Sequence, residues 1–183
     1  MLVVAIVGMA GAGKSEVSRI FECGGYVRIR FGDVTDDELQ KENLPLNEGN
    51  ERRTRESLRQ RYGMEAYAIL NLPKIDAAIK TDPVVVDGLY SWEEYVALSN
   101  HYGSGFRVVV VWSSPATRYA RLAQRPIRPL TKEEAFSRDT SEILKLNKGG
   151  PIAMADYTII NDGSLEDLKK ECYRAISAFE RCL

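Results

Sequence analysis

The sequence predicts an α/β domain built on a five-stranded, mainly parallel sheet with helices on both faces. Five short β-rich runs, at 2–8, 26–31, 83–87, 107–112 and 157–160, alternate along the chain with segments of helical periodicity. Strands that alternate with helices form βαβ units. Three of the runs are near-continuous Val and Ile, the pattern of strands covered on both faces. The length of 183 residues, 44% of them hydrophobic, suits one domain with a sizeable core.

The elements follow in order. The run LVVAIVG at 2–8 is the first strand. Segment 15–23 puts Val17, Ile20 and Phe21 on one helical face and ends at Gly24-Gly25. After the strand at 26–31, residues 33–51 carry seven acids against one base, Lys41. A polar helix is expected over 51–61, where residues 52–61 hold five Arg against one acid. Segment 64–80 spaces Ala66, Ile69, Leu70, Ile75 and Ile79 as a helix, and Pro73 predicts a break or kink in it. After strand 83–87, a helix over 91–100 opens with Ser91 and Glu94 at capping-box spacing. After strand 107–112, Pro115 takes a first-turn position in helix 115–123. A helix over 131–146 opens on Thr-Lys-Glu-Glu, another capping box. The last strand is followed by a helix over 164–179 with Leu168, Cys172, Ala175 and Phe179 on one face. Two stretches exceed an ordinary connection. They are expected to be insertions, 33–80 and 121–149, on a core of 1–32, 81–120 and 150–183.

Composition excludes several functions. The net charge is −1, from 25 Lys plus Arg against 26 Asp plus Glu, which argues against DNA as a partner and makes tight RNA binding unattractive. Three scattered cysteines without a CxxC pair, and the single His101, make a zinc site or a disulfide framework improbable. No apolar run reaches the ~18 residues of a membrane span, and the first strand begins too early for a basic leader. The expectation is a reduced, cytoplasmic protein of undetermined oligomeric state. The charges are nonetheless blocked, and 16 Arg stand against 9 Lys. Arg is the side chain suited to bidentate phosphate contacts.

The segment Gly8-Met9-Ala10-Gly11-Ala12-Gly13-Lys14-Ser15 fits the Walker A pattern G-x-x-x-x-G-K-[ST], between a buried strand and an amphipathic helix. That context gives the pattern its meaning. Backbone N–H groups and a helix N-terminus can cradle phosphates there. Lys14 is placed for the outer phosphates and Ser15 for Mg²⁺. Glu16 stands where a second hydroxyl residue is common.

With this loop the chain resembles the P-loop nucleoside monophosphate kinases, which include adenylate kinase and dephospho-CoA kinase. It is most similar to an archaeal family of small adenylate kinase-related, dephospho-CoA kinase-like proteins. The resemblance implies a three-layer P-loop NTPase fold with acceptor-binding and lid insertions, using ATP and Mg²⁺. Phe31-Gly32-Asp33 resembles the opening of the monophosphate-binding region, where Asp33 is the base candidate if the acceptor is a hydroxyl. Asp87-Gly88 resembles the Asp-Gly of adenylate kinases, although Leu89-Tyr90-Ser91 follows in place of the usual acceptor-gripping Arg. The run 118–128 (RYARLAQRPIR) resembles the helix-to-lid junction, and 155–163 (ADYTIINDG) the last strand and turn, which lie against the base. This places Asn161 and Gly163 beside the nucleotide.

Ten Arg flank the loop in two groups: Arg52, Arg53, Arg55, Arg59 and Arg61, then Arg118, Arg121, Arg125, Arg128 and Arg138. Most Arg on helices pair with Glu or face water, so three to five functional ones are expected. Helical spacing puts Arg55 and Arg59 on one face, and Arg118, Arg121 and Arg125 on another. Arg55 and Arg59 are the acceptor candidates, Arg121 and Arg125 the catalytic ones. Asp87, at the C-terminal edge of a central strand, is where an α/β ligand site lies, and is expected at the metal with Ser15. It could instead cap the next turn. Asp33 competes with Asp36, Asp37 and Glu38 for a capping role. His101 reads as solvent-facing, and Tyr90, Trp92 and Tyr95 as packing residues. The expected activity is transfer of the ATP γ-phosphoryl group to a nucleoside monophosphate-like acceptor. The alternatives are phosphorylation of a ribose hydroxyl, as in dephospho-CoA, and a non-metabolic NTPase switch or RNA-related ATPase. A guanine-reading switch is disfavoured, because the one Asn-Lys pair, Asn147-Lys148, lacks its Asp.

Overall fold

The computed structural model describes residues 2–126 and 129–181, except the side chain of Glu48. Arg128, at the end of the expected lid junction, lies outside the described residues. Five strands, β1 (Val3–Val7), β2 (Val27–Arg30), β3 (Val84–Asp87), β4 (Phe106–Trp112) and β5 (Tyr157–Ile160), form one parallel sheet in the order β2-β3-β1-β4-β5. The helices are α1 (Lys14–Cys23), α2 (Asp33–Lys41), α3 (Glu48–Tyr62), α4 (Ala66–Ala78), α5 (Trp92–Tyr102), α6 (Pro115–Ala123), α7 (Lys132–Leu146), α8 (Gly149–Ala153) and α9 (Leu165–Glu180). No helix among the described residues is long and apolar enough to cross a membrane.

All five residues of β1 are buried, because helices cover both faces. Val4 and Ile6 pack with Val17 and Phe21 of α1 and with Leu168, Cys172 and Ile176 of α9. Val3, Ala5 and Val7 pack with Tyr67 and Ile75 of α4 and Leu98 of α5. Alternation along a strand sends successive side chains to opposite faces. The register sets Ile6 beside Asp87 of β3 and Val109 of β4, so the C-terminal edge of the sheet gathers the ends of the three central strands.

The expected break at Pro73 is corrected, and two helices appear that were not expected. The chain runs through Pro73 as one helix. Pro73 is exposed, so the hydrogen bond it cannot make falls on the solvent face. Helices α2 and α8 had no apolar periodicity to announce them. α2 buries only Thr35 and Leu39, and α8 only Pro151. The caps behave as spaced: Thr131 with Glu134, and Ser164 with Asp167, form reciprocal boxes. Ser91 accepts from the Glu94 N–H, but the Glu94 carboxylate reaches past it to the N–H of Tyr90 at 2.7 Å.

Candidate active site

The turn from β1 into α1 is held from behind. Arg118 of α6 is nearly buried and donates to the Ala10 carbonyl at 3.1 Å and the Ser113 carbonyl at 3.3 Å. Its other bonds go bidentately to Asp139 of α7, at 2.9 and 2.6 Å. Asn161, after β5, donates to the Ala12 carbonyl at 2.8 Å, and Ser113 donates to the Asn161 carbonyl at 2.7 Å. The loop carbonyls are thereby engaged, while the N–H groups of Gly11, Gly13, Lys14 and Ser15 make no hydrogen bond to the described residues. Those donors, at a helix N-terminus, form an anion cradle. Gly13 takes φ +100, and a Cβ there would meet the Asn161 amide nitrogen at 2.3 Å, so the loop and Asn161 fit only with glycine.

Lys14 donates to the Met9 carbonyl at 3.0 Å. Burial lowers its pKa to about 7, with repulsion from Lys148 and Arg138 adding to the effect and Glu142 and Asp87 opposing it. Ser15 is exposed at the first turn, and Glu16 pairs with Arg19 at 3.3 Å.

At the sheet edge, Asp87 ends β3 almost buried and is ion-paired with Arg28 of β2. Arg28 also lies 3.9 Å from Glu22. Gly88 follows with φ +109, and a Cβ there would strike the Tyr90 hydroxyl at 2.7 Å. Asp33 opens α2 half-exposed and pairs with Arg30 at 2.9 Å.

The residues of α3 to α5 are less satisfied. Arg55 pairs with Glu51 at 3.3 Å. The Arg59 guanidinium lies 5.4 Å over the Tyr67 ring, and its buried Nε has no hydrogen-bond partner among the described residues. The Tyr67 hydroxyl meets Thr35 at 2.6 Å and its ring meets Tyr90 edge-on at 5.4 Å. Glu94 is fully buried and its Oε1 is likewise unpartnered. Burial pushes its pKa up to about 7, against the Tyr90 N–H, Arg59 and Lys148, which pull it down.

Helix α7 turns Ala135, Asp139 and Glu142 inward. Glu142 accepts from Arg138 at 3.1 Å and from Lys148 at 2.7 Å. Burial would raise the Glu142 pKa, but Lys148, Lys14 and Arg138 outweigh it and bring it down to about 2. Lys148 is 2% exposed and stands 5.7 Å from the Tyr90 ring centre.

The structure brings the loop, Asp87, Gly88 and Asn161 to one edge, with Arg121 donating to Ser113 at 3.2 Å. Gly163 sits in the exposed turn after β5. The expectation that Arg125 shares a helix face with Arg118 and Arg121 is corrected: α6 ends at Ala123. Burial and the like charge of Arg138 lower the Arg125 pKa. Arg118 is the clamp behind the loop, Trp92 and Tyr95 stack on each other, and His101 pairs with Asp76 at 3.1 Å. Sequence reasoning missed Arg28, Glu94, Glu142 and Lys148. Only Arg28 left a signal, a charge inside a run otherwise reading as strand.

The AAA domain family matches residues 4–145. A UPF0200 protein of Thermococcus kodakarensis is 34% identical over 179 residues, covering 96% of each chain. Among solved structures, TT1252 of Thermus thermophilus superposes with TM-score 0.68 at 19% identity, over 97% of this chain and 96% of that one. Dephospho-CoA kinase from Campylobacter jejuni does so with TM-score 0.60 at 17% identity, over 98% and 97%. At these identities the structures speak for the fold alone, whereas the sequence relatives place the chain in the UPF0200 family, on an AAA-type P-loop domain.

Proposed function

We propose that the protein is a nucleotide-dependent phosphotransferase that moves the γ-phosphoryl group of ATP to a nucleoside monophosphate-like acceptor. The observation behind this reading is the pairing of two unlike surfaces across one sheet edge. On one side lie the unengaged N–H groups of loop 8–15 beside Lys14. On the other, the buried Arg59 Nε and Glu94 Oε1 have unused hydrogen-bonding capacity.

In this reading the loop from Gly8 to Glu16 receives the donor phosphates, and Asn161 and Gly163 flank its base. Lys14, Arg121 and Arg125 neutralise charge on the transferring group, since phosphoryl transfer depends on positioning and electrostatics. Arg55, Arg59, Asp33 and Gly88 border the acceptor. The oxygen donors suit magnesium, a hard cation that keeps several waters. Ser15 is exposed at the first turn of α1, and both Arg28 contacts to Asp87 fall on Oδ2, so Oδ1 can face a metal-bound water. When bound, Mg²⁺ would neutralise the outer phosphates.

A monophosphate is already ionised and needs no base, whereas a ribose hydroxyl does. Asp33, engaged by Arg30, favours the monophosphate. The fold shared with a dephospho-CoA kinase keeps the hydroxyl as the second reading. The test is Mg-ATP incubated with nucleoside monophosphates, with dephospho-CoA and with no acceptor. Phosphorylation of a monophosphate that survives Asp33→Asn supports the first reading. A loss of about 10²-fold on that change, with dephospho-CoA as acceptor, supports the second. ATP hydrolysis that ignores every acceptor removes both.

A further inference from the structure

The lid carries an anion that the proposed chemistry does not use. Helix α7 presents Ala135, Asp139 and Glu142 at positions i, i+4 and i+7, one face of a helix. The first two fix where that face points. Ala135 is fully buried against Ala10 of the loop and Leu122. Asp139 grips Arg118, which holds the Ala10 carbonyl. Glu142 lies one turn further along the same face, where Arg138 and Lys148 each bond a different one of its oxygens, at 3.1 and 2.7 Å. Lys148 follows Asn147, whose left-handed φ of 50° turns the chain back after α7. It reaches inward until it is 2% exposed, with Nζ over the Tyr90 ring at the β3 edge. Lys148 thus spans the lid helix and the acceptor edge, and both it and Glu142 act electrostatically on Lys14.

Two cations, Arg138 and Lys148, hold the Glu142 carboxylate, while Lys14 and Lys148 also feel the carboxylates of Asp87 and Glu94 respectively. A lone buried Lys–Glu pair roughly balances its desolvation cost. Arg138 and Lys148 bonded to one carboxylate leave one positive charge in excess at Glu142, which suits a more highly charged anion. A carboxylate held at both oxygens by two cations presents the same pattern as two oxygens of a terminal phosphoryl group. We propose that Glu142 is an internal competitor for the terminal phosphoryl group of the nucleotide donor, and that Lys148 exchanges Glu142 for that group. This rests on reading loop 8–15 as a nucleoside triphosphate site. It adds that Lys148 touches the transferring group, and that the lid carries an anion that weakens triphosphate binding.

The test is titration calorimetry with two magnesium nucleotides, ADP and the non-hydrolysable β,γ-imido analogue of ATP. No acceptor or turnover is needed. Glu142→Gln keeps the side chain's shape and removes its charge. It is expected to tighten the ATP analogue by about tenfold while ADP changes less than about twofold. Lys148→Met is expected to weaken the analogue by about tenfold with ADP again nearly unchanged, and Lys148→Arg to recover most of the loss. A merely structural Lys–Glu bridge predicts that Glu142→Gln weakens both nucleotides or neither, and that outcome overturns the inference. So does an equal shift for ADP and the analogue in Lys148→Met, with folding verified by thermal melting. A wild-type protein that binds neither nucleotide removes the triphosphate reading itself. Normal wild-type binding with an unchanged ADP-to-analogue ratio in Glu142→Gln removes only the role given to Glu142.

Discussion

The two sides of the sheet edge are built on opposite plans. On the phosphate-loop side the polar groups behind the turn are already satisfied. Arg118, Asn161 and Ser113 tie the Ala10 and Ala12 carbonyls and one another together. On the α2–α5 side, four buried polar atoms have no hydrogen-bond partner among the described residues: Arg59 Nε, Asn71 Oδ1, Glu93 Oε2 and Glu94 Oε1. Such groups are uncommon, because each forfeits a hydrogen bond at a cost of about 1–3 kcal/mol. The contrast teaches that the loop is organised before any phosphate arrives. On the proposed function, the other side takes its final form around a ligand that supplies both an acceptor for Arg59 and a donor for Glu94.

The largest effect that bears on this contrast belongs to Lys14. Lys14→Ala should lower phosphoryl transfer by about 10²-fold or more, measured as initial rate with the best acceptor, and near-normal rates would remove the loop from the chemistry. Next is the clamp. Arg118→Met leaves the buried Asp139 charge with only the Tyr119 hydroxyl for a partner and should cost about 3–5 kcal/mol, read from denaturant unfolding. A small loss would mean that the loop does not depend on its rear support. On the opposite side, Arg59→Lys should raise the acceptor KM by about tenfold with the ATP KM unchanged. A change in the ATP KM alone would erase the distinction between the two sides.

Two ionisable groups, the buried Glu94 and the partly buried Lys14, separate the sides by pH. Glu94 has its folded pKa raised to about 7 from 4.5. The native state therefore holds the extra proton between those values, and stability falls as pH rises through that window. Glu94→Gln should flatten this fall. Lys14 has its folded pKa lowered to about 7 from 10.5, so the unfolded chain binds the extra proton and stability rises with pH between 7 and 10.5. Phosphate binding favours the charged amine. ATP affinity should therefore decline above pH 7 with net proton uptake, detectable by calorimetry in buffers of different ionisation enthalpy. A pH-independent affinity between 7 and 9 would contradict the environment assigned to Lys14. The smallest expected effect is at His101, whose pairing with Asp76 is exposed. His101→Ala should change stability by less than about 0.5 kcal/mol.

Local patterns in the sequence carried most of the fold and, of the candidate site, the phosphate loop. Strand β5 spans the residues its composition indicated, α6 begins at Pro115, and α7 and α9 start directly after their capping residues. These features depend on neighbours in the chain. The loop was legible for the same reason, its glycines, Lys14 and Ser15 being contiguous. What escaped depends on contacts between distant segments. Arg28 matters because β2 lies beside β3, 59 residues away from it in sequence at Asp87. Glu94 looked like a cap, and its free oxygen is visible only once Tyr67, Tyr90 and Arg59 surround it. Lys148 stood out only as part of an Asn-Lys pair without its Asp, and its bond to Glu142 forms only because the chain turns back after α7. Arg125 was misplaced because helical spacing was carried past Ala123, where α6 stops.

Phosphorus NMR of Mg-ATP with a mixture of nucleoside monophosphates tests the central claim most directly, run on the wild-type protein and on Lys14→Ala. The account predicts new nucleoside diphosphate resonances that grow as ATP is consumed, only when an acceptor is present, and their loss in the variant. Release of inorganic phosphate alone, at a rate indifferent to acceptors or to Lys14, would contradict it.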